Sequence, residues 1–99
     1  SDRLRGLQVL IAEDNPVTQI VARKTVEGFG CVATVVPDGR SAVERVRAGG
    51  IGVVLMDLQM PIMDGIEATR MIRNGERGSN RAVPILAVTA NASPEDRER

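Results

Sequence analysis

Five positions have the chemistry to handle a phosphoryl group or a hard cation: the acidic pair Glu13-Asp14, the carboxylate of Asp57, and the hydroxyl and backbone N–H of Thr89-Ala90. Taken singly, each has an ordinary explanation. Glu13-Asp14 reads as solvated charge ahead of a helix, Asp57 as a turn residue and Thr89 as a β-branched strand residue. Each group, however, lies at the end of a short apolar run. If those runs are parallel strands of one open sheet, their carboxyl ends border the crevice where ligands bind in such folds. Three carboxylates crowded there repel one another, which raises pKa values and costs stability. A hard divalent cation relieves the conflict, and Mg²⁺ is held by one or two carboxylates together with water and phosphate oxygens. A carboxylate beside such an ion is a nucleophile toward phosphorus, forming an aspartyl phosphate. The ion offsets charge on the transferring group, while Thr89 and Ala90 offer hydrogen bonds to its equatorial oxygens.

The elements that must position these residues are legible. Apolar runs rich in Val, Ile and Leu occupy residues 7–12, 31–36, 52–56 and 83–89, nearly continuous in character, as suits strands covered on both faces. A first helix starts with Asn15 as cap and Pro16 at the first helical position, and Gly28 or Gly30 ends it. Val17, Ile20, Val21, Thr25 and Phe29 are its expected buried stripe. A second helix is expected over about 39–48, capped by Asp38, with Ala42, Val43 and Val46 inward and Arg40, Glu44 and Arg47 in water. A third, over about 65–73, is expected to bury Ile66, Thr69 and Ile72. Residues 75–82 read as a polar surface loop. Strand and helix alternating at this spacing imply parallel strands, right-handed crossovers and helices on both faces.

Composition narrows the functions further. The chain has 99 residues, 42% hydrophobic and 26% charged, which fits one small globular domain over 1–99. Thirteen basic and thirteen acidic residues cancel, and the arginines are scattered without aromatic partners, so direct nucleic-acid binding is not expected. The absence of histidine excludes Ser-His-Asp and Cys-His catalysis and any phosphohistidine intermediate on this chain. Cys31 is the single cysteine and reads as a small apolar filler in a reducing compartment. No run of about 18 apolar residues is present, so neither membrane insertion nor direct membrane contact is expected and a cytoplasmic setting is, with a parent chain free to be membrane-tethered. The segment Gly28 to Ala33 satisfies the letters of a dinucleotide fingerprint but precedes a strand instead of following one, so it reads as a helix stop. Met56, Met60, Met63 and Met71 read as packing residues.

The stretches "VLIAEDN" (9–15), "VVLMDLQMPIMDG" (53–65) and "VPILAVTAN" (83–91) resemble the receiver domain of two-component response regulators, and most of all receivers appended to hybrid sensor histidine kinases. The resemblance covers nearly the whole chain in order. It implies a flavodoxin-like doubly wound α/β fold with strand order 2-1-3-4, and a phosphoacceptor domain more than a free-standing enzyme. It assigns Asp57 as the phosphorylated aspartate, Asp14 as the direct Mg²⁺ ligand, Glu13 as the acidic neighbour acting through water, and the backbone carbonyl of Gln59 as a further ligand beside Asp57. Thr89 becomes the switch hydroxyl and Ala90 the small residue whose N–H faces the phosphoryl group. Met60-Pro61 and Asp64-Gly65 match the loop that follows. The implied partner is a histidine kinase or histidine phosphotransfer domain, in cis or in trans.

One departure carries an expectation of its own. Receivers have a fifth strand ending in lysine and an aromatic switch residue near it, whereas the only lysine here is Lys24 and the only aromatic is Phe29. Ser93-Pro94-Glu95-Asp96 is a helix start without a body, so the natural domain is expected to continue, with the fifth strand and helix absent from this chain. The fourth strand is then an exposed apolar edge that invites dimerisation or a segment swap. This chain is expected to keep part of its Mg²⁺ binding and to accept phosphate poorly. Two other readings stand beside this one: a phosphatase-like enzyme with an aspartate nucleophile, and a degenerate receiver serving only as a protein-binding surface.

Overall fold

A computed structural model describes residues 4–57, 63–75 and 80–88. The elements in chain order are β1 (Gln8–Ala12), α1 (Pro16–Gly28), β2 (Val32–Val36), α2 (Gly39–Arg47), β3 (Val53–Asp57), α3 (Gly65–Arg73) and β4 (Ile85–Val88). All strand pairs are parallel and the order is β2-β1-β3-β4, as the sequence implies. From β1 the chain passes through α1 to β2 on one side, then returns through α2 to β3 on the other side of β1. The strand order therefore reverses at β1, and β1 and β3 border the crevice.

Helix ends are set by local chemistry. Asn15 is extended, and its side-chain oxygen accepts the N–H groups of Val17 at 2.9 Å and Thr18 at 3.1 Å, with Pro16 beginning the helix. At the other end Gly30 sits at φ +87°; its N–H donates to Glu27 and that of Cys31 donates to Val26, closing the helix with a left-handed turn. Asp38 and Asp64 cap α2 and α3 in the same manner, each accepting at 2.8 Å from the N–H three residues on. Replacing Asn15 by alanine is expected to lower stability by about 1 kcal/mol, measured as a shift of the urea midpoint.

The main core lies on one face of the sheet. Leu10 and Ala12 of β1 and Val54 and Met56 of β3 share that face by the two-residue period, and they pack with Ala42, Val43 and Val46 of α2 and Ala68 and Ile72 of α3. The expected inward residues of α2 are thus in place, and Arg40, Glu44 and Arg47 are exposed. Two expectations are corrected. The stripe on α1 is not buried: Val17 is 70%, Ile20 56% and Val21 59% exposed, Thr25 is exposed, and Phe29 is exposed too. At 3.6 residues per turn, half-buried Thr18, Ala22 and Val26 share one side of the helix, and Val17, Ile20 and Val21 lie opposite with Lys24. On α3, Ile66 is 52% exposed and Thr69 half-buried, whereas Ala68 is fully buried. A small residue takes the inward position because α2 approaches closely there.

Among the described residues β4 has a strand partner on one side only, and its Leu86 side chain is exposed. No helix among them is long and apolar enough to cross a membrane. The expected helix start at 93–96 lies outside the described residues.

Candidate functional site

The sheet brings together three of the acids singled out in the sequence. Ala12 pairs with Met56, so Glu13 and Asp14 leave β1 beside Asp57, the last residue of β3. One carboxylate oxygen from each of Glu13, Asp14 and Asp57 lies within 4.8 Å of the others. Glu13 and Asp57 are 7% and 8% exposed, while Asp14 is open to solvent.

The loop carrying the pair is held at both ends. The Glu13 N–H donates to the Val36 carbonyl at 3.0 Å, extending the β1–β2 ladder by one bond. Its own carbonyl accepts from the Gln19 side chain at 2.6 Å, and its carboxylate accepts the Asn15 N–H at 2.9 Å. Asn15 thus caps α1 and orients Glu13 at once. Sequence reasoning found the cap but missed both the Glu13 contact and Gln19; a glutamine one turn into a helix that follows an acidic pair was the available signal.

Burial raises the carboxyl pKa of Glu13 above its ordinary value, and the neighbouring carboxyls of Asp14 and Asp57 push the same way, against the opposing pull of the Asn15 N–H. Two buried acids and one exposed acid, all oxygen donors, form a set that suits a small hard cation open to water and to a ligand on the Asp14 side.

Gln59, Thr89 and Ala90 lie outside the described residues, as do Met60 and Pro61. Asp57 pairs with Val88, so β4 brings the chain alongside the acid as far as residue 88. Asp64 and Gly65 start α3 as expected. Lys24 is exposed on α1, eight residues beyond its start, which is about 12 Å along the helix from the acidic end.

The response regulator receiver domain matches residues 9–99. The chain is 43% identical to the two-component response regulator ORR41 of Oryza sativa over 91% of its own length and 71% of that protein. It therefore belongs to the receiver domain family. Among longer relatives, Histidine kinase 1 of Arabidopsis thaliana is 34% identical over 94% of this chain, which spans 10% of that protein's length. The receiver domain of the Pseudomonas aeruginosa sensor histidine kinase PA1611, solved with a magnesium ion in its active-site cleft, superposes with a TM-score of 0.82 at 42% identity, covering 95% of this chain and 75% of that one. A chain from the Saccharomyces cerevisiae complex of the histidine phosphotransfer protein Ypd1 with the receiver of its response regulator Ssk1 gives 0.79 at 33% identity, covering 94% and 70%. The fold, the strand order and the placement in two-component signalling follow from this membership.

Proposed function

We propose that this domain accepts a phosphoryl group on Asp57 from a phosphohistidine of a partner protein, in the presence of Mg²⁺. The observation that carries the reading is the convergence of Glu13, Asp14 and Asp57 within 4.8 Å at the ends of two adjacent strands. The metal-bound PA1611 receiver and the Ypd1 complex among its relatives support it. Asp14 and Asp57 would hold the ion directly with the Gln59 carbonyl, and Glu13 through a water molecule. When bound, Mg²⁺ offsets negative charge on the phosphoryl oxygens.

The chain's own work is geometric. Asp57 presents one carboxylate oxygen in line with the phosphorus–nitrogen bond of the donor; the new P–O bond forms as the P–N bond breaks, and the imidazole nitrogen keeps the electron pair. Gln19 and Asn15 keep Glu13 turned toward the site. Thr89 and Ala90 would supply a hydroxyl and an N–H to the transferred group, and movement of Thr89 would bias a neighbouring surface between two states. The side of β4 that has no strand partner among the described residues would serve for pairing with a second chain.

The test is transfer from a phosphorylated histidine phosphotransfer protein to this chain, with Mg²⁺ or with EDTA. A base-labile acyl phosphate on Asp57, formed only with Mg²⁺, is expected. Acceptance from small acyl phosphates is expected to be slow, because the only lysine, Lys24, stands at the far part of α1. Continuous Mg²⁺-dependent release of phosphate from generic esters would favour a phosphatase instead, and binding of the donor without transfer a purely docking domain.

A further inference from the structure

Asp14 is the one acid of the cluster open to solvent, and the end of the β1–β2 ladder governs how it is held. Ala12 is paired with Val36, and the Glu13 N–H donates to the Val36 carbonyl at 3.0 Å. The next bond of an evenly spaced parallel ladder would run from the N–H of Asp38 to the Glu13 carbonyl. β2 ends at Val36, however, and Asp38 already serves as the cap of α2. The carbonyl of buried Glu13 needs another donor. It receives the side-chain amide of Gln19 at 2.6 Å, from the fourth residue of α1.

That carbonyl belongs to the peptide group joining Glu13 to Asp14, and a peptide group is planar. Whatever holds its oxygen therefore fixes the direction in which the chain passes from Glu13 to Asp14. The start of α1 supplies a firm base for the amide. The Gln19 N–H donates to the Asn15 carbonyl at 2.9 Å, and the Asn15 N–H donates to the Glu13 carboxylate at 2.9 Å. Asp14 thus lies within a ring of three bonds linking Glu13, Asn15 and Gln19. Without the Gln19 amide, Glu13 keeps partners for its N–H and its carboxylate, whereas the peptide group leading to Asp14 loses the bond to its oxygen.

We infer that Gln19 is a positioning residue for Asp14: its amide replaces the missing ladder bond and so aims the exposed acid at the cation. The inference rests on the reading of Asp14 as a Mg²⁺ ligand. It assigns Gln19 a role beyond Glu13, carried through one peptide group.

The experiment compares Gln19→Met with wild type and with Ile72→Val. Methionine keeps the length and the helix propensity of glutamine and removes the donor. Ile72→Val lowers stability within the core that α3 shares with α2. Mg²⁺ affinity is measured by calorimetry, and urea unfolding of the metal-free chains puts their stabilities on one scale. Gln19→Met is expected to bind Mg²⁺ about 10-fold more weakly, the lower end for a supporting group outside the ligand set, and Ile72→Val like wild type. Amide exchange of the metal-free chains is the second readout. Gln19→Met should speed exchange of the Asn15 N–H and spare that of Val32, which donates to the Leu7 carbonyl at the other end of the β1–β2 ladder. A folded Gln19→Met chain that binds Mg²⁺ like wild type overturns the inference, as does faster exchange at both amides or at neither.

Should Gln19→Met fail to fold, the wild type decides. Coupling between two binding events is reciprocal, so Mg²⁺ should in turn strengthen the Gln19 bond. It should slow exchange of the Gln19 side-chain amide more than that of Asn80, whose amide donates to the Ile51 carbonyl ahead of β3. Equal slowing overturns the inference. A wild-type chain that binds no Mg²⁺ overturns the site reading itself, and shows this before any variant is compared.

Discussion

Asp57→Asn is expected to abolish phosphoryl transfer from a phosphohistidine donor, to the background of the assay. The amide is close in shape to the carboxylate and ends the same strand, so the β3 pairing with β1 and β4 persists. What is lost is the anionic oxygen that attacks phosphorus, and no other described acid is placed to replace it. Glu13 faces the same cluster, but it follows β1 instead of ending β3, and its carboxylate is turned by the Asn15 N–H. The measurement is incorporation of radiolabel or a mass shift on the intact chain, with circular dichroism to establish that the variant is folded. Undiminished incorporation in the variant would move the phosphoacceptor elsewhere.

The second large effect concerns the acidic pair and pH. If Asp14 is a direct ligand, as proposed, Asp14→Ala should reduce Mg²⁺ affinity by more than the 10- to 100-fold typical of groups outside the ligand set, and Glu13→Gln should fall within about that range. The two differ in the metal-free state. A carboxyl whose pKa is raised on folding binds its proton more tightly in the native chain. Its ionisation therefore penalises folding: the penalty is absent below the unfolded value, grows between the unfolded and the raised folded value, and is complete above the latter. Glu13→Gln should accordingly stabilise the metal-free chain at neutral pH, and the advantage should vanish as the pH falls through that window. Saturating Mg²⁺ should reverse the order, making wild type the more stable. Mg²⁺ affinity of wild type should weaken over the same acid range, because proton and cation compete for Glu13. A pH-independent difference between the two chains would remove Glu13 from the cluster's electrostatics.

Much of this was readable in advance, for reasons that separate cleanly. Asn15-Pro16, Asp38 and Asp64-Gly65 announced the helix starts because capping is a matter of a few adjacent bonds. Glu13, Asp14 and Asp57 could be placed together because parallel strands put their carboxyl ends on one edge. Which side of a helix finds a neighbour is a different kind of question. Val17, Ile20 and Val21 form a proper helical stripe, yet α1 rests on the sheet through Thr18, Ala22 and Val26; periodicity reports that an apolar side exists and says nothing of what covers it. On α3 hydrophobicity favoured Ile66, but the inward place went to Ala68, because the distance between α2 and α3 is set by Gly39 and Met63. Contacts of that sort join residues whose proximity exists only once the sheet has formed.

The acids at the crevice come from strands that are neighbours in space but separated in sequence by α1, β2 and α2. No local segment of the unfolded chain holds two of the three together except Glu13-Asp14, and that pair alone is a poor cage. A cation held by these acids would thus recognise a finished object. It could not seed the encounter of β1 with β3, whose loop-closure cost falls on apolar pairing, but once they have met it would brace the seam between them. An ion of this kind governs how long the assembled sheet endures more than how soon it arises.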